Sequence, residues 1–239
     1  VPDFIRSPSP NFNERDPNVP LRYVVLHYTG MKTAAEARQR LCDPQAAVSA
    51  HYLIEEDGTI SLLVEEDQRA WHAGESYWRG ITDMNSASIG IELVNPGHQF
   101  GYHPFAATQI NRLKPLLHQI IDRHHMDAPT CLLAHADIAP RRKEDPGELF
   151  PWRELALDGL GSWPMPQSVD YGPAEDSEIH VLLRNIGYDC PESEGYDRAT
   201  RAALLAFQRH YQPDNLTGTP EKETIARLRA LSRDSHARN

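Results

Sequence analysis

The chain has 239 residues, room for one sizeable domain and a small second one, and its 40% apolar and 24% charged content is that of a globular protein. Its 34 acidic residues outnumber 24 basic ones, and the formal net charge of −10 excludes non-specific nucleic-acid binding and argues against an anionic membrane surface. No apolar run approaches a membrane-spanning length, and three widely spaced cysteines, Cys42, Cys131 and Cys190, do not make a disulfide framework.

Residues 1–20 carry Pro8, Pro10, Pro17 and Pro20 among Asn and Ser and read as an irregular arm. The first residues contain no charged-then-apolar signal segment. Because the chain does not begin with Met, an export signal or a lipid-modified cysteine ahead of Val1 stays open. Leu21–Thr29 is a β-branched and aromatic run ended by Gly30 and predicts a central strand, with His27 at the carboxyl end, where open α/β sheets place their sites. Thr33 caps a helix reaching Leu41, with Glu36 three residues on. Apolar runs at 48–54 and 59–64 flank Asp57-Gly58, a hairpin signal. In Trp71-His72-Ala73-Gly74, the indole suits either a sugar face or the core, and His72 adds an imidazole.

Asn85–Asn95 predicts a strand with a single carboxylate, Glu92, among apolar neighbours. A carboxylate buried without partners is expensive, so Glu92 either faces solvent or belongs to a site. Over 106–125 the stripe of Ile110, Leu113, Leu117, Ile120 and Ile121 predicts an amphipathic helix, in which Pro115 forecasts a kink or a late start. His118, His124 and His125 fall near its end and read as surface residues. Thr130–Ala134 is the strand that delivers His135.

The stretch from Ala134 to Gly147 places His135, Lys143 and Asp145 close together and is broken by Pro140, Pro146 and Gly147. It cannot be one regular helix, and it reads as a strand end running into an ordered loop, where site residues concentrate. His135 and Asp145 offer the nitrogen and carboxylate donors that zinc takes. Lys143, two residues before Asp145, would share its face in an extended backbone. The spacing matches no short zinc signature, and position does not pick a third ligand from the other eleven histidines.

Trp152–Leu160 closes the first domain, and residues 161–173, with Trp163, Pro164, Pro166 and Pro173, read as a linker. Beyond it three amphipathic helices are expected. The first carries Ile179, Val181, Leu182, Leu183 and Ile186 and ends at Gly187. The second is capped at Asp197 or an adjacent residue and carries Ala199, Ala203, Leu204 and Phe207. The third opens at Thr219-Pro220 and carries Ile225, Leu228 and Leu231, with a loose tail from Arg233.

The segment His135-x-Asp137-Ile138-Ala139-Pro140-x-Arg142-Lys143-x-Asp145-Pro146-Gly147, followed by Leu149-Phe150-Pro151-Trp152, resembles the zinc-dependent N-acetylmuramoyl-L-alanine amidases of the AmpD/AmiD type. Val24-Val25-Leu26-His27-Tyr28-Thr29, Trp71-His72-Ala73-Gly74 and Gly90-Ile91-Glu92 resemble further segments of that family. The resemblance implies an α/β catalytic domain over 21–160, a central mixed β-sheet flanked by helices, shared with peptidoglycan recognition proteins. It implies Zn2+ on His27, His135 and Asp145, Glu92 as catalytic acid/base and Lys143 beside the metal. Trp71, His72 and His51 then fall near the cleft as substrate contacts. Leu183-Arg184-Asn185-Ile186-Gly187-Tyr188 and Tyr196-Asp197-x-Ala199-Thr200-Arg201 resemble a three-helix peptidoglycan-binding domain, here 174–233.

Together the resemblances imply hydrolysis of the amide between N-acetylmuramic acid, or its 1,6-anhydro form, and the L-alanine of the stem peptide. The implied partners are peptidoglycan and muropeptides, in the bacterial envelope, either periplasmic or attached to the outer membrane. Sequence does not give the oligomeric state, and a homodimer stays open. Two rivals remain: a non-catalytic peptidoglycan receptor, which has no need of Glu92 and Lys143, and a cytosolic recycling amidase, which has no need of the extra domain.

Overall fold

The computed structural model describes residues 4–190 and 195–236. The arm expected to be irregular supplies two short strands, Phe4–Arg6 (β1) and Phe12–Glu14 (β2). Its polar residues find backbone partners in the body of the protein. Buried Asn11 donates to the carbonyls of Asp43 and Val48, each at 2.8 Å, and Arg15 donates to the carbonyls of Asn85, Ser86 and Ser88. A segment with little apolar surface is thus held by hydrogen bonds to groups far away in sequence.

The remaining strands are Tyr23–Tyr28 (β3), Tyr52–Ile54 (β4), Ile60–Leu62 (β5), Gln68–Ala70 (β6), Ser88–Leu93 (β7) and Leu132–Ala134 (β8). Six of the strands form a mixed sheet in the order β1-β5-β4-β7-β3-β8, and β2 pairs with β6 in a separate antiparallel ribbon. Within the sheet only β4 and β5 run antiparallel, joined at the Asp57-Gly58 turn as expected. The other pairs are parallel, so β3 and β7 sit centrally and are covered on both faces. That is why Val24, Val25, Leu26, Ile89 and Ile91 are all fully buried.

Helices cover the sheet. Ala34–Cys42 (α1) starts at Thr33, whose Oγ1 accepts from the Glu36 N–H at 3.2 Å, and buries Ala37 and Leu41 against Leu53, Leu63 and Val94. Met84–Ala87 (α2) and Gly97–Phe100 (α3) are single turns at either end of β7. Ala107–His124 (α4) buries the forecast stripe of Ile110, Leu113, Leu117, Ile120 and Ile121. The late start forecast from Pro115 does not occur; the helix runs through this residue, which lies on its exposed side. His135–Ile138 (α5) is one turn following β8, and Trp152–Leu157 (α6) closes this part of the chain.

Beyond a stretch that includes a short 3-10 turn at Ser168–Asp170 lie Asp176–Ile186 (α7), Arg198–Tyr211 (α8) and Lys222–His236 (α9). Pro220 precedes α9 by two residues rather than starting it, and the helix continues through the beginning of the tail expected to be loose. The end of that tail, 237–239, lies outside the described residues. One hydrophobic core runs from the sheet into these helices. It holds Leu132, Leu133 and Trp152 together with Tyr188, Phe207 and Tyr211. No helix among the described residues is long and apolar enough to cross a membrane.

Candidate metal centre

Strand β3 is buried up to Leu26 and then presents His27 near its carboxyl end. Its neighbour β8 ends at Ala134, so His135 arrives beside His27 at the start of α5. The expected loop therefore begins as one helical turn. The chain then turns back through Pro140: the N–H groups of Arg142 and Lys143 both donate to the Ala139 carbonyl. It returns so that the Asp145 carbonyl accepts from the Ala136 N–H at 2.9 Å. Lys143 and Glu144 thus form a short link between the turn at 140–142 and the turn at Asp145-Pro146, and this return of the chain is what closes the site.

Three ligand atoms converge there. His27 Nδ1 lies 2.9 Å from His135 Nδ1 and 3.1 Å from Asp145 Oδ2, and His135 Nδ1 lies 3.0 Å from Asp145 Oδ2. All three residues are buried, and among the described residues they form the one cluster of its kind able to hold a metal ion. The far ring nitrogens define the tautomers. His135 Nε2 is 3.1 Å from the Ala73 carbonyl, which can only accept, so its proton is there and the Nδ1 lone pair faces the triangle. His27 Nε2 meets His72 Nδ1 at 3.0 Å, and His72 Nε2 meets Ser88 Oγ at 3.4 Å, whose hydroxyl donates to the Met84 carbonyl at 2.5 Å. Protons placed along this chain leave His27 Nδ1 bare as well. Two bare nitrogens 2.9 Å apart repel unless a cation lies between them and the carboxylate.

The electrostatics agree. Burial, with His135 nearby, lowers His27 to about 4, so it keeps its lone pair free at neutral pH. Burial opposes the charge on Asp145, yet His135 and His27 hold its carboxyl below the usual range. His72 is pushed well below its ordinary value by burial and by its imidazole neighbours.

Glu92 stands on β7 beside this triangle. The residue is only partly covered, but Oε2 is sealed from solvent and has no hydrogen-bond partner among the described residues. Burial raises its carboxyl well above the ordinary range, Asp145 adds to the rise and the Lys143 ammonium opposes it. Lys143 has no ion-pair or hydrogen-bond partner for its side chain among the described residues.

A cleft of about 340 Å³ opens over these groups. Its lining includes His27, His135 and Asp145 together with Glu92, Lys143, Trp71 and His72. Trp71 is half-buried, and its indole N–H donates to Asn13 Oδ1 at 2.6 Å, which fixes the ring at the rim. His72 borders the cleft but spends its ring nitrogens on His27 and Ser88, which places it to hold the His27 ring. His51 requires a correction. It is completely buried and absent from the cleft wall; its Nδ1 accepts from the Gly90 N–H at 2.9 Å and its Nε2 meets the Gln68 carbonyl at 3.1 Å. These bonds tie it to β7 and to Gln68, away from the cleft.

Two contributors escaped the sequence reading. Gly90 leaves the space that His72 fills: a Cβ there would sit 2.4 Å from the His72 ring. A glycine inside a strand pattern signals such a close approach, and that signal was present. Asp137 is the other, a buried carboxylate whose Oδ2 accepts from the Ala134 N–H at 2.8 Å.

Two imidazoles at the carboxyl ends of parallel strands and a carboxylate from the returning loop, with an unpartnered glutamate alongside, suit metal-assisted hydrolysis. Residues 17–148 match the Amidase_2 model, N-acetylmuramoyl-L-alanine amidase, and the chain belongs to that family. It is 39% identical over 231 residues to the N-acetylmuramoyl-L-alanine amidase AmiD of Escherichia coli, covering 88% of this chain and 82% of that one. A structure of E. coli AmiD with anhydro-N-acetylmuramic acid-L-Ala-D-γ-Glu-L-Lys superposes with a TM-score of 0.80 at 36% identity, covering 94% of this chain and 98% of that one. AmpDh3 of Pseudomonas aeruginosa with anhydromuramic pentapeptide superposes at 0.81 and 34% identity, covering 90% and 92%. The mixed sheet flanked by helices is the fold of these amidases.

Proposed function

We propose that this chain is a zinc amidase that cleaves the bond between N-acetylmuramic acid, in intact or 1,6-anhydro form, and the L-alanine of the peptidoglycan stem peptide. The observation that carries the reading is the convergence of His27 Nδ1, His135 Nδ1 and Asp145 Oδ2 to within 3.1 Å of one another, with a partnerless Glu92 oxygen in the same cleft. Tetrahedral zinc with bonds of about 2.0–2.2 Å spaces its ligand atoms about 3.3–3.5 Å apart, so only a few tenths of an ångström of outward movement is needed. Three protein ligands leave the fourth position for water or substrate, as in catalytic zinc sites.

When bound, zinc supplies Lewis acidity, polarising the scissile carbonyl and easing deprotonation of water. Glu92 takes the proton of the attacking water and passes it to the departing alanine nitrogen. Burial raises its pKa, which makes the carboxylate a stronger base toward the water than an ordinary glutamate and lets it hold the proton until the nitrogen departs. The unpaired Lys143 ammonium faces the negative charge that develops on the carbonyl oxygen. Trp71 at the rim offers an apolar face to a sugar or peptide.

The three C-terminal helices, read as a peptidoglycan-binding unit, favour an envelope enzyme acting on polymer, in the periplasm or at the outer membrane. Incubation of the full chain with purified sacculi, with zinc and after chelation, tests this. Zinc-dependent release of peptides beginning at L-alanine, read by mass spectrometry, is expected. Cleavage confined to small anhydro-muropeptides would move the enzyme to recycling, and no product from either substrate would leave a receptor.

A further inference from the structure

The C-terminal helices grip the two segments that carry His135 and Asp145. Asp137, two residues beyond His135, receives two hydrogen bonds from this region: the O–H of Tyr188, just past α7, donates to Oδ1 at 2.6 Å, and His210 Nδ1 on α8 meets Oδ2 at 2.7 Å. All three residues are buried. The His210 ring has no freedom to leave, since it stacks on Trp152 at 3.7 Å on one side and on Tyr211 at 3.8 Å on the other. The preceding residue on α8 works on the other segment. Arg209 Nη2 lies 3.2 Å from Glu144 Oε2, and its Nε lies 3.8 Å from Glu148 Oε2. Glu144 immediately precedes the ligand Asp145, and Glu148 lies just beyond it. The Ala136–Asp145 backbone bond ties the two segments together between these anchor points.

We propose that Tyr188, Arg209 and His210 are positioning residues of the metal centre, so that ligand geometry and metal affinity depend on the C-terminal helices. These residues lie outside the part of the chain that the family model matches, 17–148. The inference rests on the reading of His27, His135 and Asp145 as the zinc site. It assigns the bundle a task besides any contact with polymer: α5 is too short to hold its own geometry, and a turn of four residues depends on tertiary partners. Removal of the Tyr188 hydroxyl or the His210 imidazole leaves the buried Asp137 carboxylate short of donors, and it can recover them only by shifting α5 and His135 with it.

The test uses the full chain as wild type, Tyr188→Phe, His210→Gln, Arg209→Gln and Arg209→Lys. Zinc dissociation constants are measured by competition with a chromophoric chelator, and melting temperatures are taken with and without zinc. Loss of an outer-shell partner typically weakens metal binding about 10- to 100-fold, and Tyr188→Phe and His210→Gln are expected toward the lower end of that range. Arg209→Gln should weaken zinc less, with Arg209→Lys recovering part of the loss, and the zinc-induced rise in melting temperature should shrink in step. Equal melting losses with and without zinc, at wild-type zinc affinity, would show packing alone and overturn the proposal. Tyr188→Phe removes one oxygen and keeps the ring, so a misfolded His210→Gln does not remove the test. A wild-type chain that takes up no zinc would overturn the metal-site reading and this inference with it, an outcome distinct from the first.

Discussion

His27 and Glu92 are register partners on the adjacent parallel strands β3 and β7. Register partners share a face of the sheet and lie about 4.8 Å apart across it. The proposed metal ligand and the proposed proton carrier are therefore set side by side by backbone hydrogen bonds, not by loop geometry. Buried central strands are the stiffest part of such a fold, which is where a constellation tolerant of only small errors belongs.

Glu92→Gln keeps the shape and removes the proton carrier. Turnover is expected to fall about 100-fold or more, the usual contribution of general acid/base catalysis, while zinc content by elemental analysis stays at the wild-type level. Asp145→Ala gives the opposite signature, loss of zinc together with activity. Wild-type turnover in Glu92→Gln would remove Glu92 from the mechanism, and full zinc occupancy in Asp145→Ala would remove that residue from the ligand set.

Lys143 is assigned to the transition state, and steady-state kinetics can separate that from ground-state binding. Lys143→Ala should lower kcat and kcat/KM together by about 100-fold, the range seen for one oxyanion donor, with KM little changed. A raised KM at constant kcat would instead make Lys143 a binding group for a stem-peptide carboxylate.

Local periodicity explains why some of this was legible in the sequence and some was not. The hairpin at Asp57-Gly58 and the buried stripe of α4 depend on neighbours within a few residues, so the pattern shows them directly. His27, His135 and Asp145 became readable through the family-like segments around them; spacing alone did not select His27 from the other histidines. The strands of the arm were hidden because β1 gains its partners from Ile60–Leu62, and Arg15 gains its acceptors about 70 residues away. His210 and Asp137 are 73 residues apart and reveal nothing until the helices are packed. His51 misled for a related reason: a histidine close to a site in sequence space can point into the sheet.

That buried His51 sets an acid limit on the metal-free fold. Burial, with Arg15 nearby, lowers it to about 3. An unfolded imidazole takes a proton below about pH 6.5, whereas the folded one refuses it until far lower. Its stabilising contribution is therefore complete above about pH 6.5 and is lost as pH falls toward its folded value. Between pH 6.5 and 4.5 the loss amounts to about 2–3 kcal/mol from this group. Thermal melts of the metal-free chain should show the fall, and His51→Gln should show a smaller one. Identical losses in the two chains would assign the acid sensitivity elsewhere.

Gly90→Ala probes how closely the ligand-orienting chain is packed. The new Cβ would meet the His72 ring at 2.4–2.7 Å, closer than side-chain carbons approach one another. His72 cannot simply retreat, because it is buried and its backbone N–H donates to Asn85 Oδ1 at 2.9 Å. The displacement passes to His27, whose Nε2 is 3.0 Å from His72 Nδ1. Overpacking of this kind costs about 1–3 kcal/mol of stability. Loss of the hydrogen-bonded partner should weaken zinc about 10- to 100-fold. Ser88→Ala is the matched control, since it removes the 3.4 Å contact at the far side of His72, along with the Ser88 bond to the Met84 carbonyl, and introduces no clash. If His72 orients His27, Gly90→Ala loses much more zinc affinity than Ser88→Ala at comparable metal-free stability. Wild-type zinc affinity in Gly90→Ala would mean that the two imidazoles are neighbours without being coupled.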